Sequence, residues 1–245
     1  MKLKQVLYII ISLIAVNGAM AQQNFFNVPS SDITPKGSLF FQQQVNFLSE
    51  SMQFNSTFSY GLGSDWECGF NVLGLTRDNV KGFINNDSSV PYAPMFCFNA
   101  QKKLIINEEF SLAGGTQLGL NTSGSLSSYV YANSIIHLHE SHTKIVAGMY
   151  YSSDGFFGSE QRGFFQEGFG KNIGFQLGFE QQLIAESLVL QSDLITGKHD
   201  LGENVTGLAY YLTPTWILSG GYQLPLFNST SQKAFVVELT YSPEQ

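Results

Sequence analysis

A period-two alternation recurs along most of this chain and constrains its fold more than any other feature. In SMQFNSTFSYGL (51–62), large apolar side chains alternate with Gln, Asn, Ser, Thr and Gly, and no residue is charged. FSLAGGTQLGLN (110–121) and IGFQLGFEQQ (173–182) alternate in the same way. Because successive side chains of a β-strand point to opposite faces, the pattern predicts strands with one apolar and one polar face.

Segments of this kind extend over most of the chain after residue 37, and none is apolar enough for long enough to cross a membrane as a helix. Twelve strands are predicted, at 38–48, 52–62, 66–76, 92–101, 108–120, 127–138, 143–152, 172–183, 187–197, 204–212, 216–226 and 233–242.

The connections between these strands differ in length at the two ends of the predicted sheet. If the first strand runs outward, the inner connections are short, whereas 77–91 and 153–171 on the outer side are long. Short turns at one rim and long loops at the other are typical of an outer-membrane barrel. Residues 155–170 are an alternative pair of further strands, which would raise the count to fourteen.

The polar face decides between two all-β architectures. A secreted antiparallel sandwich or adhesin also alternates, but its solvent face usually carries Lys and Glu. Here that face carries Gln, Asn, Ser and Gly, and charged residues make up only 13% of the chain, against about 25% in soluble domains. We therefore predict an all-β, antiparallel transmembrane β-barrel of about 12 strands, with 10–14 possible, whose apolar face meets lipid.

The N-terminus has the features of an export signal. Lys2 and Lys4 precede an apolar run over 6–16, and Ala19–Ala21 has the small-x-small pattern of a cleavage site before Gln22. The alternative is an uncleaved anchor, for which the run is short.

These features divide the chain into a signal peptide (1–21), an N-terminal periplasmic segment (22–37) and an outer-membrane barrel domain (38–245). They predict export through a cleavable signal peptide to the outer membrane of a Gram-negative bacterium, where outer-membrane lipid is a partner.

The charge balance bears on what the protein binds. Without Lys2 and Lys4, 10 basic residues face 19 acidic ones, a formal charge of −9, which argues against nucleic acid. An acidic barrel interior favours cations over anions. The alternative is that the acidic side chains assigned to the inner face lie at the rims or pair across the barrel, with a structural role only. The carboxylates predicted to face inward are Glu67, Glu109, Glu180, Asp193 and Glu238.

The chain has two cysteines, and the face pattern predicts that they do not form a disulfide. Cys68 shares the outward parity of Trp66 and Phe70, whereas Cys97 lies between two outward phenylalanines and should point inward. Side chains on opposite faces of neighbouring strands cannot bridge, so two free thiols are predicted. Two cysteines and four histidines also have no zinc or haem spacing, so no metal or cofactor is predicted.

The sequence IIHLHESH contains a possible nucleophile and base. His139 and Ser141 have the residue types of a barrel hydrolase, but such chemistry needs a third, orienting group and an oxyanion donor. No such group is evident, and the cluster falls at a short inner turn. An ordinary turn is the favoured interpretation, and the protein is not predicted to be an enzyme.

The run DLITGKHDLGENVTGLAYYLTPTWILSGGYQLP (193–225) resembles the penultimate hairpins of outer-membrane barrel transporters, including those grouped with aromatic-compound degradation pathways. The resemblance covers an inward acid before Thr-Gly, a polar loop, a Gly-rich strand and a turn near Pro. It implies uptake of small solutes across the outer membrane and identifies no substrate residue. The chain departs from the common barrel ending, because four residues follow Tyr241.

The leading prediction is a channel or transporter for the passive or facilitated passage of a small neutral or cationic solute. A barrel closed by its own side chains, with a structural or surface-interaction role, is the alternative, and a hydrolase using His139 and Ser141 is a second. The residues predicted to contact solute in the lumen are Glu109, Gln117, Gln176, Glu180, Asp193, Gln223 and Glu238.

Overall fold

A computed structural model describes residues 25–86, 92–156, 172–185 and 187–243. In these ranges no helix is long and apolar enough to cross a membrane. The predicted signal peptide (1–21) lies outside them. The strands are β1 (Leu39–Phe47), β2 (Ser51–Gly63), β3 (Trp66–Asp78), β4 (Gly82–Ile84), β5 (Met95–Ile105), β6 (Phe110–Asn121), β7 (Leu126–Leu138), β8 (Thr143–Ser152), β9 (Ile173–Ile184), β10 (Leu188–Ile195), β11 (Glu203–Tyr211), β12 (Trp216–Pro225) and β13 (Ala234–Tyr241), with one 3₁₀ turn at His139–Ser141.

Twelve of these strands form a closed antiparallel barrel. β1 pairs with both β2 and β13, and β2 also pairs with β3, so the sheet has no free edge except at β4. β4 pairs only with the outer end of β3. β8 pairs directly with β9, with Tyr151 opposite Ile173. The barrel prediction is therefore confirmed and the sandwich is wrong, while most of the alternative strand pair at 155–170 lies outside the described residues.

The two rims differ as predicted. One has only short turns, at 64–65, 106–109, 139–142, 185–187 and 212–215, and the wall begins and ends there. The opposite rim has the long connections 79–94 and 153–172, of which 87–91 and 157–171 lie outside the described residues. We call the two ends the short-turn rim and the long-loop rim.

The outer face of the wall is apolar and exposed. Phe98 and Phe235 are 69% and 66% exposed, and Leu118 is 57% exposed. Trp66 and Trp216 stand at the short-turn rim, where Trp216 packs against Tyr241 with ring centroids 5.3 Å apart. Apolar side chains facing outward, with aromatic residues at a rim, are the arrangement by which a barrel spans a bilayer.

The N-terminal segment lies inside the barrel. At the short-turn rim, the Gly37 N–H donates to the Gly61 carbonyl, and the chain before it enters the lumen. Phe25 and Val28 are completely buried. Residues 25–36, which we call the N-terminal plug, thus run through the lumen to the short-turn rim, where Lys36 is exposed, whereas the sequence placed segment 22–37 in the periplasm. The physical reason is that Phe25, Phe26 and Val28 are apolar and find cover only inside the lumen.

Both cysteines are free, as predicted. Cys68 lies on the outer face and is partly exposed, whereas Cys97 is buried inside the barrel. The alternation that assigned the two faces therefore also holds for β5, one of the less regular strands.

Candidate functional site: the lumen and its N-terminal plug

Asp193 on β10 anchors the end of the plug that lies nearer the long-loop rim. Its Oδ2 accepts the backbone N–H groups of Phe26, Asn27 and Val28 at 3.1, 2.5 and 2.8 Å. Hydrogen bonds to an ionised acceptor are about twice as strong as neutral ones. A single wall carboxylate therefore satisfies three consecutive backbone donors, which turns this part of the plug around Asp193.

Glu67 on β3 anchors the opposite end. Its Oε2 accepts the backbone N–H and the hydroxyl of Thr34, at 2.8 and 2.9 Å. Gln101 on β5 donates through Nε2 to Glu67 Oε1 at 2.8 Å and to the Asp32 carbonyl at 2.9 Å. Both ends of the plug are thus held by acidic side chains that face the lumen.

The plug contributes one charge of its own, Asp32, and the wall pairs it with two lysines. Lys103 lies 3.3 Å from Asp32 Oδ1, and Lys144 contacts Oδ2. Asp32 is only 4% exposed. A buried carboxylate is strongly unfavourable without such partners. Lys103 and Lys144, the lumen-facing lysines of the described wall strands, are therefore already engaged with the plug rather than available to an anionic solute.

Glycines in the wall provide the space for the plug's aromatic rings. A Cβ at Gly178 on β9 would overlap the Phe25 ring, and one at Gly221 on β12 would lie 2.7 Å from the Phe26 ring. Phe25 belongs to an apolar cluster with Ile135 and other inward residues. These glycines therefore shape the wall around the plug, a role that alternation alone does not indicate.

Between the plug and the long-loop rim, the lumen contains a cavity of about 170 Å³. We call it the vestibule. Phe26, Asn27 and Pro29 of the plug form part of its lining. A second cavity of about 30 Å³ shares Pro29 with it and reaches Glu67. The lumen thus has a small chamber on its long-loop side and only a narrow space beside the plug.

The vestibule has two chemically different walls. Polar uncharged side chains, including Gln53, Asn55 and Gln117, line it from β2 and β6. Tyr129 and Phe156 line it from the other side, with stacked rings whose centroids are 5.3 Å apart. The lining contains no lysine or arginine among the described residues. This chamber offers hydrogen bonds and ring faces, but no positive charge.

The loop between β10 and β11 packs into the long-loop end of the lumen. His199 is fully buried, and its Nε2 lies 2.6 Å from the Tyr150 hydroxyl oxygen, while its Nδ1 accepts the Leu201 N–H at 3.1 Å. Asp200 lines the vestibule and accepts a hydrogen bond from Thr230. Burial raises the pKa of Asp200 above its ordinary value, and the Thr230 hydroxyl opposes that rise. This loop therefore carries the one charged group that the described part of the chain contributes to the vestibule lining.

Six of the seven predicted lumen residues face the interior, and one does not. Gln176 and Glu238 are fully buried, and Gln223 and Asp193 nearly so. Gln117 lines both cavities, and Glu180 lies beside Lys144 in the strand register. Their inward positions follow from the alternation.

Glu109 is the exception and lies exposed in the turn 106–109 between β5 and β6. Its N–H and that of Phe110 donate to Asn107 Oδ1, at 2.9 and 2.7 Å. The prediction for Glu109 is wrong because the asparagine forms a turn there, so the strand begins only at Phe110.

The buried lumen residues bond mainly to the wall. Gln176 donates to Asn133 Oδ1 at 2.6 Å and accepts from the Tyr129 hydroxyl. Gln223 accepts from Asn46 at 3.3 Å. The inward amides thus hold one another in place around the plug.

The His139–Ser141 turn does not have the geometry of a hydrolase. The Ser141 hydroxyl lies 2.8 Å from that of Thr143, and His139 Nε2 lies 3.1 Å from the Glu108 carbonyl oxygen. Within the described residues no hydrogen bond joins Ser141 to an imidazole. The described part of the chain contains no cluster of His, Cys, Asp and Glu able to hold a metal ion.

Three features of the lumen were not predicted from the sequence. They are the plug itself, the inward position of Lys103, and the inward tyrosines Tyr129, Tyr131 and Tyr150. The signal for the tyrosines was present, because the predicted strands 127–138 and 143–152 alternate irregularly. An apolar residue on both faces of a barrel strand indicates that something apolar occupies the lumen beside it.

Comparison with solved structures supports the fold. The KdgM porin aligns with 83% of this chain and 99% of its own, at 10% identity and a TM-score of 0.59. A second KdgM structure, in complex with disordered oligogalacturonate, aligns with a TM-score of 0.58, also at 10% identity and over the same shares of both chains. The NanC porin aligns with 84% of this chain and all of its own, at 9% identity and a TM-score of 0.54. The chain therefore has the barrel fold of these porins.

No family model matches the sequence, and no curated protein does. The resemblance to barrels grouped with aromatic-compound degradation stays a prediction.

Proposed function

We propose that this protein is an outer-membrane channel for a small neutral or cationic solute, closed at rest by its own N-terminal plug. The proposal rests on the identity of the segment that blocks the lumen. Much of the lumen is filled by a tethered segment, the plug, which side chains of the wall hold in place. A segment of this kind can leave without any wall strand being unpaired.

The charge of the lumen supports the solute class. Besides Asp200 in the vestibule, six carboxyl groups of the described residues face the interior, against two ammonium groups, both of which contact Asp32. An anionic ligand, such as the oligogalacturonate of the KdgM complex, would meet unfavourable charge here, whereas a cation or a neutral molecule would not. The six carboxyl groups belong to Asp32, Glu67, Glu180, Asp193, Glu203 and Glu238.

Planar-bilayer conductance tests the proposal, with a deletion of residues 25–36 compared with the full chain. The narrow space beside the plug, about 30 Å³, has room for two or three water molecules. We therefore expect low conductance from the full chain and at least a several-fold increase from the deletion, with a reversal potential that shows cation selectivity. Glu238→Gln in the deletion background should lower that selectivity.

The competing function is a permanently closed barrel with a structural or surface role, which the filled lumen also favours. No current from a correctly folded deletion variant would establish that function and refute the channel. If the deletion does not fold, Gly178→Val provides a second route, because it displaces Phe25 while keeping the segment. Anion-selective current from either variant would refute the solute class.

A further inference from the structure

We propose that the vestibule binds an uncharged, ring-shaped polyhydroxylated molecule, of the class of a neutral mono- or disaccharide. The proposal deepens the channel function and rests on it, because a site at the long-loop end would load solute before the plug moves. Three properties of the chamber carry it: free amide groups, facing aromatic rings, and size.

The first property is a set of unused hydrogen-bonding groups on one wall. Asn55 accepts the Gly74 N–H through Oδ1 at 2.8 Å, and Gln117 accepts from Asn71 through Oε1 at 3.3 Å. Their amide nitrogens, and the whole Gln53 amide, make no hydrogen bond to another described residue. Amides both donate and accept without charge, so they suit hydroxyl groups.

The second property is the aromatic wall on the other side. Tyr129 and Phe156 stack with each other, and Tyr92 also lines the chamber. The Tyr129 hydroxyl already donates to Gln176, and Tyr129 and Phe156 are only 3% and 7% exposed, so a small apolar part of each ring reaches the chamber. A ring-shaped polyol has apolar C–H faces and hydroxyl groups at its edge. It can therefore pack on the aromatic wall while its edge bonds to the amides.

The third property is size combined with charge. A volume of about 170 Å³ holds roughly a dozen water molecules, enough for a molecule with one or two sugar-sized rings. Among the described residues of the lining, the only charged group is Asp200, which would repel a carboxylate. A positively charged ligand would find one carboxylate but would leave the amides and rings unmatched. A neutral polyol uses every type of group that the chamber offers.

Isothermal titration calorimetry on the full chain folded in detergent tests the site. Maltose is the probe, digalacturonate is its anionic counterpart of similar size, and choline is a cationic one. We expect maltose to bind with a millimolar Kd, and digalacturonate and choline to bind at least tenfold more weakly. Equal or tighter binding of either charged probe, or no binding of maltose, would overturn the proposal.

Variants locate the binding to the vestibule. Gln53→Leu, Gln117→Leu and Phe156→Ala should each weaken maltose binding at least fivefold. The matched control is Gln43→Leu, because Gln43 lies on the outer face of β1, where it bonds to Ser56 at 2.6 Å. Unchanged binding in the three vestibule variants, or equal weakening in the control, would refute the site.

Calorimetry tests the saccharide site and conductance tests the channel, so either proposal can be refuted without the other. Cation-selective current from the plug deletion without maltose binding would remove only the saccharide site. Maltose binding without current from that deletion would remove only the channel.

Discussion

Two sides of the lumen wall differ in character. On the side of β5, β7 and β8, many inward residues are apolar and belong to one cluster with Phe25 and Val28 of the plug, although Gln101, Lys103, Asn133 and Lys144 also lie there. On the side of β1, β12 and β13, the inward residues are mostly amides, hydroxyls and carboxylates, although Phe40, Ile217 and Val236 also lie there. We call these the apolar side and the polar side; the apolar side includes Met95, Cys97, Tyr129, Ile135, Val146 and Tyr150, and the polar side includes Gln42, Gln44, Asn46, Ser219, Gln223, Glu238 and Thr240.

The difference indicates how one lumen can hold a plug and still suit a polar solute. The apolar side covers Phe25 and Val28 of the plug, which gain free energy by leaving water. On the polar side, the buried hydroxyls of Ser219 and Thr240 have no hydrogen-bond partner among the described residues. Polar groups left unpaired by protein suit water or solute. The apolar side therefore holds Phe25 and Val28, while Phe26 packs with Val236 of the polar side, which still retains unpaired hydroxyl groups among the described residues.

The largest effect is expected from closing the space that receives Phe25. Gly178→Val would place side-chain atoms where the Phe25 ring lies. Loss of a buried phenylalanine contact costs about 3–5 kcal/mol, so the plug should leave the apolar side and its amides should lose protection from hydrogen exchange. Gly220→Val is the control, because a Cβ there meets no atom within 4 Å. Full protection in Gly178→Val would show that this side does not hold the plug.

A smaller effect is expected from removing the acceptor of the plug's backbone. Asp193→Ala leaves the N–H groups of Phe26, Asn27 and Val28 without their carboxylate, at a cost of about 1–3 kcal/mol. Limited proteolysis should then cut within residues 25–36 faster than in the unaltered protein. Asp193→Asn keeps one oxygen acceptor and should lie between the two. Equal cleavage rates in all three would mean that the carboxylate does not hold the plug.

The smallest effect is expected at Gln191 on β10, near the polar side. Gln191 is completely buried, and neither polar atom of its amide has a partner among the described residues. Replacing an unsatisfied buried amide by an apolar group of similar shape is nearly neutral or stabilising. Gln191→Leu should therefore change the free energy of unfolding by less than about 1 kcal/mol, measured by urea titration in detergent. A clear loss of stability would show that bound water satisfies this amide.

The sequence by itself determined the wall of this protein. A side-chain period of two assigns each residue to a face, so the number of wall strands, the two rims, the free cysteines and the inward orientation of six of the seven predicted solute contacts followed from it. Glu109 failed because strand ends depend on turn geometry, here the bonds to Asn107, rather than on alternation. Local patterns carry this information because each strand repeats the same two environments.

Only the tertiary structure decided what fills the barrel. The contacts of the plug join residues far apart in sequence, such as Val28 with Asp193 and Thr34 with Glu67. No period or motif relates these pairs, since they meet only after the wall has closed. The inward tyrosines and the glycines beside Phe25 and Phe26 likewise become meaningful once the plug is in place. Occupancy of a lumen is a property of the closed barrel, and no single strand encodes it.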